Sequence, residues 1–174
     1  MEPLINRVAE SEIEVFNLES LIERSDLAEL DISQFLDKGF ILREKEFRNS
    51  VKEFDWSTFQ SKNVALYCST DAIVPTWAYM LISVRLNGIA ELVVHGRPDN
   101  LAKTMFRDIL NTFDWSVYQD KIVVVKGCSS TVVPEDAYLH ATTKLLEVAR
   151  KVMYGEPCSS VPLWRRPKVA TPSK

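Results

Sequence analysis

The chain has 174 residues, 46% of them hydrophobic and 26% charged, with a formal net charge of −3. That balance excludes disorder and collagen, and a chain of this length buries roughly 70% of its extended surface on folding, enough for a core without disulfide staples. No apolar run approaches the roughly 20 residues of a bilayer span, Met1-Glu2-Pro3 does not open a signal peptide, and three cysteines cannot all pair within one chain. A cytoplasmic protein with free thiols and no membrane role is therefore expected.

Residues 1–37 hold ten acids against Arg7 and Arg24, a local charge of −8. Within this acidic segment Ile13 to Leu18 and Leu27 to Ile32 read as weak strands at the edge of a sheet. Leu42, Phe47, Val51 and Phe54 then recur at helical spacing, and Asp55-Trp56-Ser57 stops the helix. Asn63 to Tyr67 is short, apolar and poor in charge, as a central strand is. Pro75 suits the first turn of a helix, where a missing N–H costs nothing, and Trp77 to Leu86 carries a helical pattern. Leu92 to His95 is a further strand, followed by Gly96-Arg97-Pro98 and a helix cap at Asp99 or Asn100.

The pattern then recurs. Leu101, Phe106, Leu110 and Phe113 form a second stripe, Asp114-Trp115-Ser116 ends it, Ile122 to Lys126 reads as a strand, and Pro134 leads into a helix over Ala137 to Ala149. Shifting the sequence by 59 residues aligns 47–98 with 106–157 without a gap, with 18 of 52 positions identical. The fold class that follows is α/β: internally duplicated helix-strand-helix units on a parallel or mostly parallel sheet, with an amino-terminal β-containing edge segment. Residues 1–160 are expected as one α/β domain, and 161–174, basic through Arg165, Arg166, Lys168 and Lys174, as a flexible tail. One short basic cluster on an acidic chain does not make a nucleic-acid face.

Missing motifs narrow the function. Neither Gly-x-Gly-x-x-Gly nor Gly-x-x-x-x-Gly-Lys occurs, so the backbone cradles of the standard dinucleotide and triphosphate sites are absent. There is no Gly-x-Ser-x-Gly or His-Glu-x-x-His, and His95 and His140 are the only histidines. What remains is a phrase written three times: Cys68-Ser69-Thr70 running to Val74-Pro75, Cys128-Ser129-Ser130 running to Val133-Pro134, and Cys158-Ser159-Ser160-Val161-Pro162.

The first two cysteines follow strands, at the edge where open α/β sheets bind ligands. Adjacent strands lie roughly 4.8 Å apart, so thiols on neighbouring strands could share an ion. Three thiolates from Cys68, Cys128 and Cys158, with Asp71, His95 or water as the fourth ligand, suit zinc or an iron-sulfur cluster. The same cysteines also admit a reading as small core residues, or as a redox or nucleophilic thiol. His140 reads as structural, and Trp56 and Trp115 as hydrophobic anchors with satisfied indole hydrogens.

Asn6-Arg7-Val8-Ala9, Phe54-Asp55-Trp56-Ser57, the run Tyr67 to Met80, Lys126-Gly127-Cys128 and Met153 to Ser159 together resemble the bacterial family catalogued as domain of unknown function 2480, over nearly the whole chain. The resemblance implies a cytoplasmic bacterial protein, carries over no catalytic residue, and suggests iron-sulfur assembly proteins as partners of an accessory protein. The leading expectation is thus a metal protein holding zinc or an iron-sulfur cluster. Its alternatives are a metal-free module that engages a protein partner, and a thiol enzyme using Cys68 with His95. Oligomeric state is not encoded in any motif.

Overall fold

Among the described residues seven short strands and four helices follow one another: β1 (Ile13–Phe16), β2 (Leu27–Asp31), α1 (Glu44–Glu53), β3 (Asn63–Tyr67), α2 (Thr76–Leu86), β4 (Leu92–His95), α3 (Pro98–Thr112), β5 (Ile122–Val125), α4 (Glu135–Val148), β6 (Lys151–Tyr154) and β7 (Val161–Arg165). They are seen in a computed structural model that describes residues 13–23, 26–126 and 133–167. The chain divides into two compact units, one of Glu23–Met105 and one of Met1–Ile22 with Phe106–Lys174. The sequence, read as a single domain over 1–160, had no linker to mark such a division.

The Glu23–Met105 unit has a three-stranded sheet in the order β2-β3-β4, with both pairings parallel. Val64 and Leu66 on β3 share one core with Phe47 and Val51 of α1 and with Ala78, Ile82 and Leu86 of α2. Both helices therefore pack on the same face of the sheet, each buried side chain of this size contributing about 1.5–3 kcal/mol. The other unit orders its strands β1-β5-β6-β7, and only the β6–β7 pair is antiparallel. Val123, Val125 and Val152 meet Ala137, Ala141 and Leu145 of α4 in its core. β1 and β2 are edge strands, as their position in the acidic segment suggested.

The two units repeat local structure as well as sequence. The Trp56 indole donates to the Val51 carbonyl at 3.0 Å, and that of Trp115 to the Leu110 carbonyl at 3.0 Å. Asp55 accepts from the Ser57 amide at 3.0 Å and hydroxyl at 2.6 Å, and Asp114 accepts from Ser116 at the same two distances. Asp-Trp-Ser ends each helix because the aspartate caps a following 3-10 turn and the indole closes back on the last helical carbonyls. Ser61 and Asp120, 59 residues apart, both have positive φ, 56° and 58°.

Residues 161–165, assigned to the tail by their proline and charge, instead form β7. Pro162 is tolerated because β7 is an edge strand. Just beyond it Arg166 pairs with Asp120, its guanidinium also donates to the Val148 carbonyl at 2.7 Å, and its backbone N–H donates to Arg150. Among the described residues no helix is long and apolar enough to cross a membrane.

Candidate functional site

The segment from Cys68 to Leu86 carries the chemistry-bearing phrase and then the helix with the most apolar composition, so the site is built outward from it. β3 delivers Cys68-Ser69-Thr70 to the carboxyl edge of the three-stranded sheet. β2 ends there too, and the Asp31 carboxylate accepts from the amides of Ser33 and Ser69, both at 3.0 Å. Partial burial pushes the Asp31 carboxyl up, but hydrogen bonds from the side chains and backbones of Ser69 and Ser33 outweigh it and hold the group below its ordinary value. The Ser33 and Ser69 hydroxyls lie 3.3 Å apart. Thr70 donates to the Gly39 carbonyl at 2.7 Å, and its hydroxyl sits 3.4 Å from the Cys68 sulfur.

His95 stands at the end of β4 on the same edge, its ring edge-to-face with Tyr79 of α2 at 4.6 Å. Burial raises the Tyr79 phenol above its ordinary value, with Cys68 and Asp31 adding to the effect. Asp71 is exposed in the loop beyond Thr70. These polar groups mostly satisfy one another or the backbone, so the edge is a hydrogen-bonded brace joining β2, β3 and the loop before α2.

The expectation of a metal centre is overturned here. Cys68 follows β3, Cys128 follows β5, and those strands belong to different sheets, so the premise of neighbouring strands fails. Cys158 is exposed in the turn between β6 and β7, and Cys128 itself lies outside the described residues. Among the described residues no three His, Cys, Asp or Glu side chains form a group able to hold a metal ion. Among the described residues Cys68 lies beyond β3 and Cys158 beyond β6, and neither Asp71 nor His95 forms with Cys68 a group able to hold a metal ion.

Sequence reasoning missed the outward side of α2. Ala78, Ile82 and Leu86 face the sheet and are fully buried. On the opposite side Met80 is 62% and Val84 69% exposed, and Ile73 in the preceding loop is 92% exposed. Arg85 is the one charged residue in the helix TWAYMLISVRL. Trp77 completes the stripe, fixed by the Phe47 ring edge at 5.7 Å and by the Arg48 guanidinium over its face at 4.9 Å. Within the helix Trp77, Met80 and Val84 follow a 3-4 spacing, the seam pattern of helices that pack on other helices, and Ile73 lies in the loop before it. The signal was present as the scarcity of charge in residues 76–86.

α4 occupies the same place between its strands and provides an internal comparison. The residues 59 positions beyond Trp77, Met80 and Val84 are Asp136, Leu139 and Thr143. Leu139 and Leu146 are exposed, but Asp136 and Thr143 interrupt the stripe. A continuous apolar outer face is thus a property of α2 and not of the shared architecture.

A family model described as "Protein of unknown function (DUF2480)" matches residues 2–166. No curated protein and no solved structure gives a match.

Proposed function

We propose that this chain, which belongs to the DUF2480 family of proteins of unknown function, is an interaction module that docks a protein partner through the outward face of α2. The observation that carries the reading is the exposure of Met80 and Val84 on a helix whose opposite side is already buried against its sheet. A helix that is apolar on all sides is normally covered on all sides, and a contiguous exposed apolar patch marks a contact surface. The braced edge at Asp31, Ser69 and Thr70 supports this role by fixing the loop that leads into α2. A rigid surface loses less entropy on binding.

Placing a photoreactive p-benzoylphenylalanine at position 80 or at position 143 of the full chain in living bacteria tests the reading. Irradiation is expected to give discrete adducts from position 80 and few from position 143. No adduct at position 80, or equal adducts at both, would remove α2 as the docking face.

A further inference from the structure

The two units differ at one sheet edge. β6 carries β7 on its outer side, whereas β4, its counterpart 59 residues earlier, pairs only with β3 among the described residues. The surroundings of the two strands otherwise match. The Gly96 N–H donates to the Leu66 carbonyl at 2.9 Å and that of Gly155 to the Val125 carbonyl at 3.1 Å. Ser61 and Asp120 donate in the same way to the carbonyls of Ile89 and Val148, at 2.8 and 2.9 Å. His95 meets the Tyr79 ring edge-to-face at 4.6 Å, as Tyr154 meets Tyr138 at 5.9 Å.

β7 accounts for a difference in burial. Trp164 pairs with Val152 and packs on the core of its unit, and Arg166 donates to the carbonyls of Val148 and Arg150. Val152 and Ala149 are fully buried, while their counterparts Val93 and Ala90 are only partly buried. We propose that β4 accepts a strand as β6 does: an extended segment of a partner protein adds antiparallel to its outer edge, with an aromatic side chain opposite Val93. This edge is distinct from the outward side of α2, and either reading stands without the other.

The seated strand gives the register, and the residues of β4 select the occupant. The Arg166 N–H donates to the Arg150 carbonyl, so by the alternation of an antiparallel ladder Trp164 exchanges its backbone bonds with Val152. On β4 the same positions are Glu91 and Val93. Where β7 sets Arg165 opposite Lys151, β4 offers the partly buried Leu92, which favours an apolar residue. Where Arg166 lies against Arg150, β4 has the exposed Glu91, which favours a basic one. The occupant therefore reads aromatic, apolar, basic in chain order. β7 itself is matched to β6, because Arg166 pairs with Asp120 and the counterpart of Asp120 is Ser61.

The probe is a synthetic peptide of residues 160–166 carrying Arg165→Leu, titrated into the isotope-labelled full chain and read by amide NMR. Shifts are expected at residues 91–95 and not at 150–154, with a dissociation constant of roughly 10–500 μM. N-methylation of the peptide at position 164, whose amide faces β4, should weaken binding at least about tenfold. N-methylation at position 165, whose amide faces away, should change it by less than about threefold. Glu91→Lys in the full chain should weaken binding about threefold, with circular dichroism verifying its fold.

No shift up to about 1 mM peptide, shifts at 150–154 in place of 91–95, or equal loss from the two methylations overturns the inference. Val93 and His95 amides that resist hydrogen exchange in the dilute free chain would mean an edge already covered by the chain itself. Shifts at 91–95 on concentrating the chain alone would mean that a second copy takes the edge. Either of these results rejects the partner segment.

Discussion

Asp31 and Ser69, 38 residues apart, are joined by a hydrogen bond of 3.0 Å from the Ser69 amide to the carboxylate, which ties the end of β2 to the end of β3. At the corresponding turn after β1 the residue is Asn17, whose side-chain oxygen accepts from the Glu19 amide at 3.2 Å. A neutral amide therefore serves as a cap in one unit and a carboxylate in the other.

The lowered Asp31 carboxyl has a defined consequence for acid stability. A group whose folded value is depressed stabilises the native state above its unfolded value, and the contribution disappears as pH falls through the folded value. Asp31→Asn keeps an acceptor oxygen but removes the titration. Urea denaturation at pH 7 and near pH 3 should show a smaller acid loss for Asp31→Asn than for the wild type. Asp55 and Asp114, lowered by the hydroxyls and then the amides of Ser57 and Ser116, leave a residual acid dependence. Equal acid loss in variant and wild type would contradict the role given to Asp31.

The repeated tryptophans should differ in weight. Trp56 is buried at 8% exposure, whereas Trp115 is only partly buried. Phenylalanine keeps most of the ring volume but strands the carbonyl of Val51 or Leu110. Trp56→Phe should cost about 1–3 kcal/mol, and Trp115→Phe less because its hydrogen bond is only partly buried. Denaturant titration of both variants reads the difference, and an equal cost would mean that ring packing outweighs the hydrogen bond.

With no group able to hold a metal among the described residues, stability should be independent of metal. Treating the purified chain with a strong chelator should move its melting temperature by less than about 1 °C, since structural metal binding is coupled to folding. Cys158 is exposed and Cys68 only partly so, with its sulfur against the Thr70 hydroxyl. Iodoacetamide should therefore alkylate Cys158 faster, roughly tenfold, with the difference lost in denaturant. Faster reaction at Cys68 would point to an activated thiol at the sheet edge.

Much of the architecture was legible because the relevant signals are local. Asn63 to Tyr67 and Leu92 to His95 are the observed β3 and β4, and Pro75 and Pro134 immediately precede α2 and α4. β6 was hidden because it is only four residues long and opens on Lys151, and β7 because Pro162 and two arginines look like a tail. Convergence of the thiols depended on strand order, which no residue pattern specifies, and β3 and β5 proved not to be neighbours. The outer face of α2 was overlooked for a different reason. Ile82 and Val84 are equally apolar, and only the packing direction distinguishes the buried one from the exposed one.

Accessibility of position 84 inside the cell bears on the docking face whatever occupies it. In a background with Cys68, Cys128 and Cys158 replaced by serine, Val84→Cys and Thr143→Cys can be labelled with a membrane-permeant maleimide in intact bacteria and in dilute purified protein. Docking through α2 predicts that position 84 is protected in the cell relative to the dilute protein while position 143 labels equally in both. Equal labelling of position 84 in the two settings would contradict it.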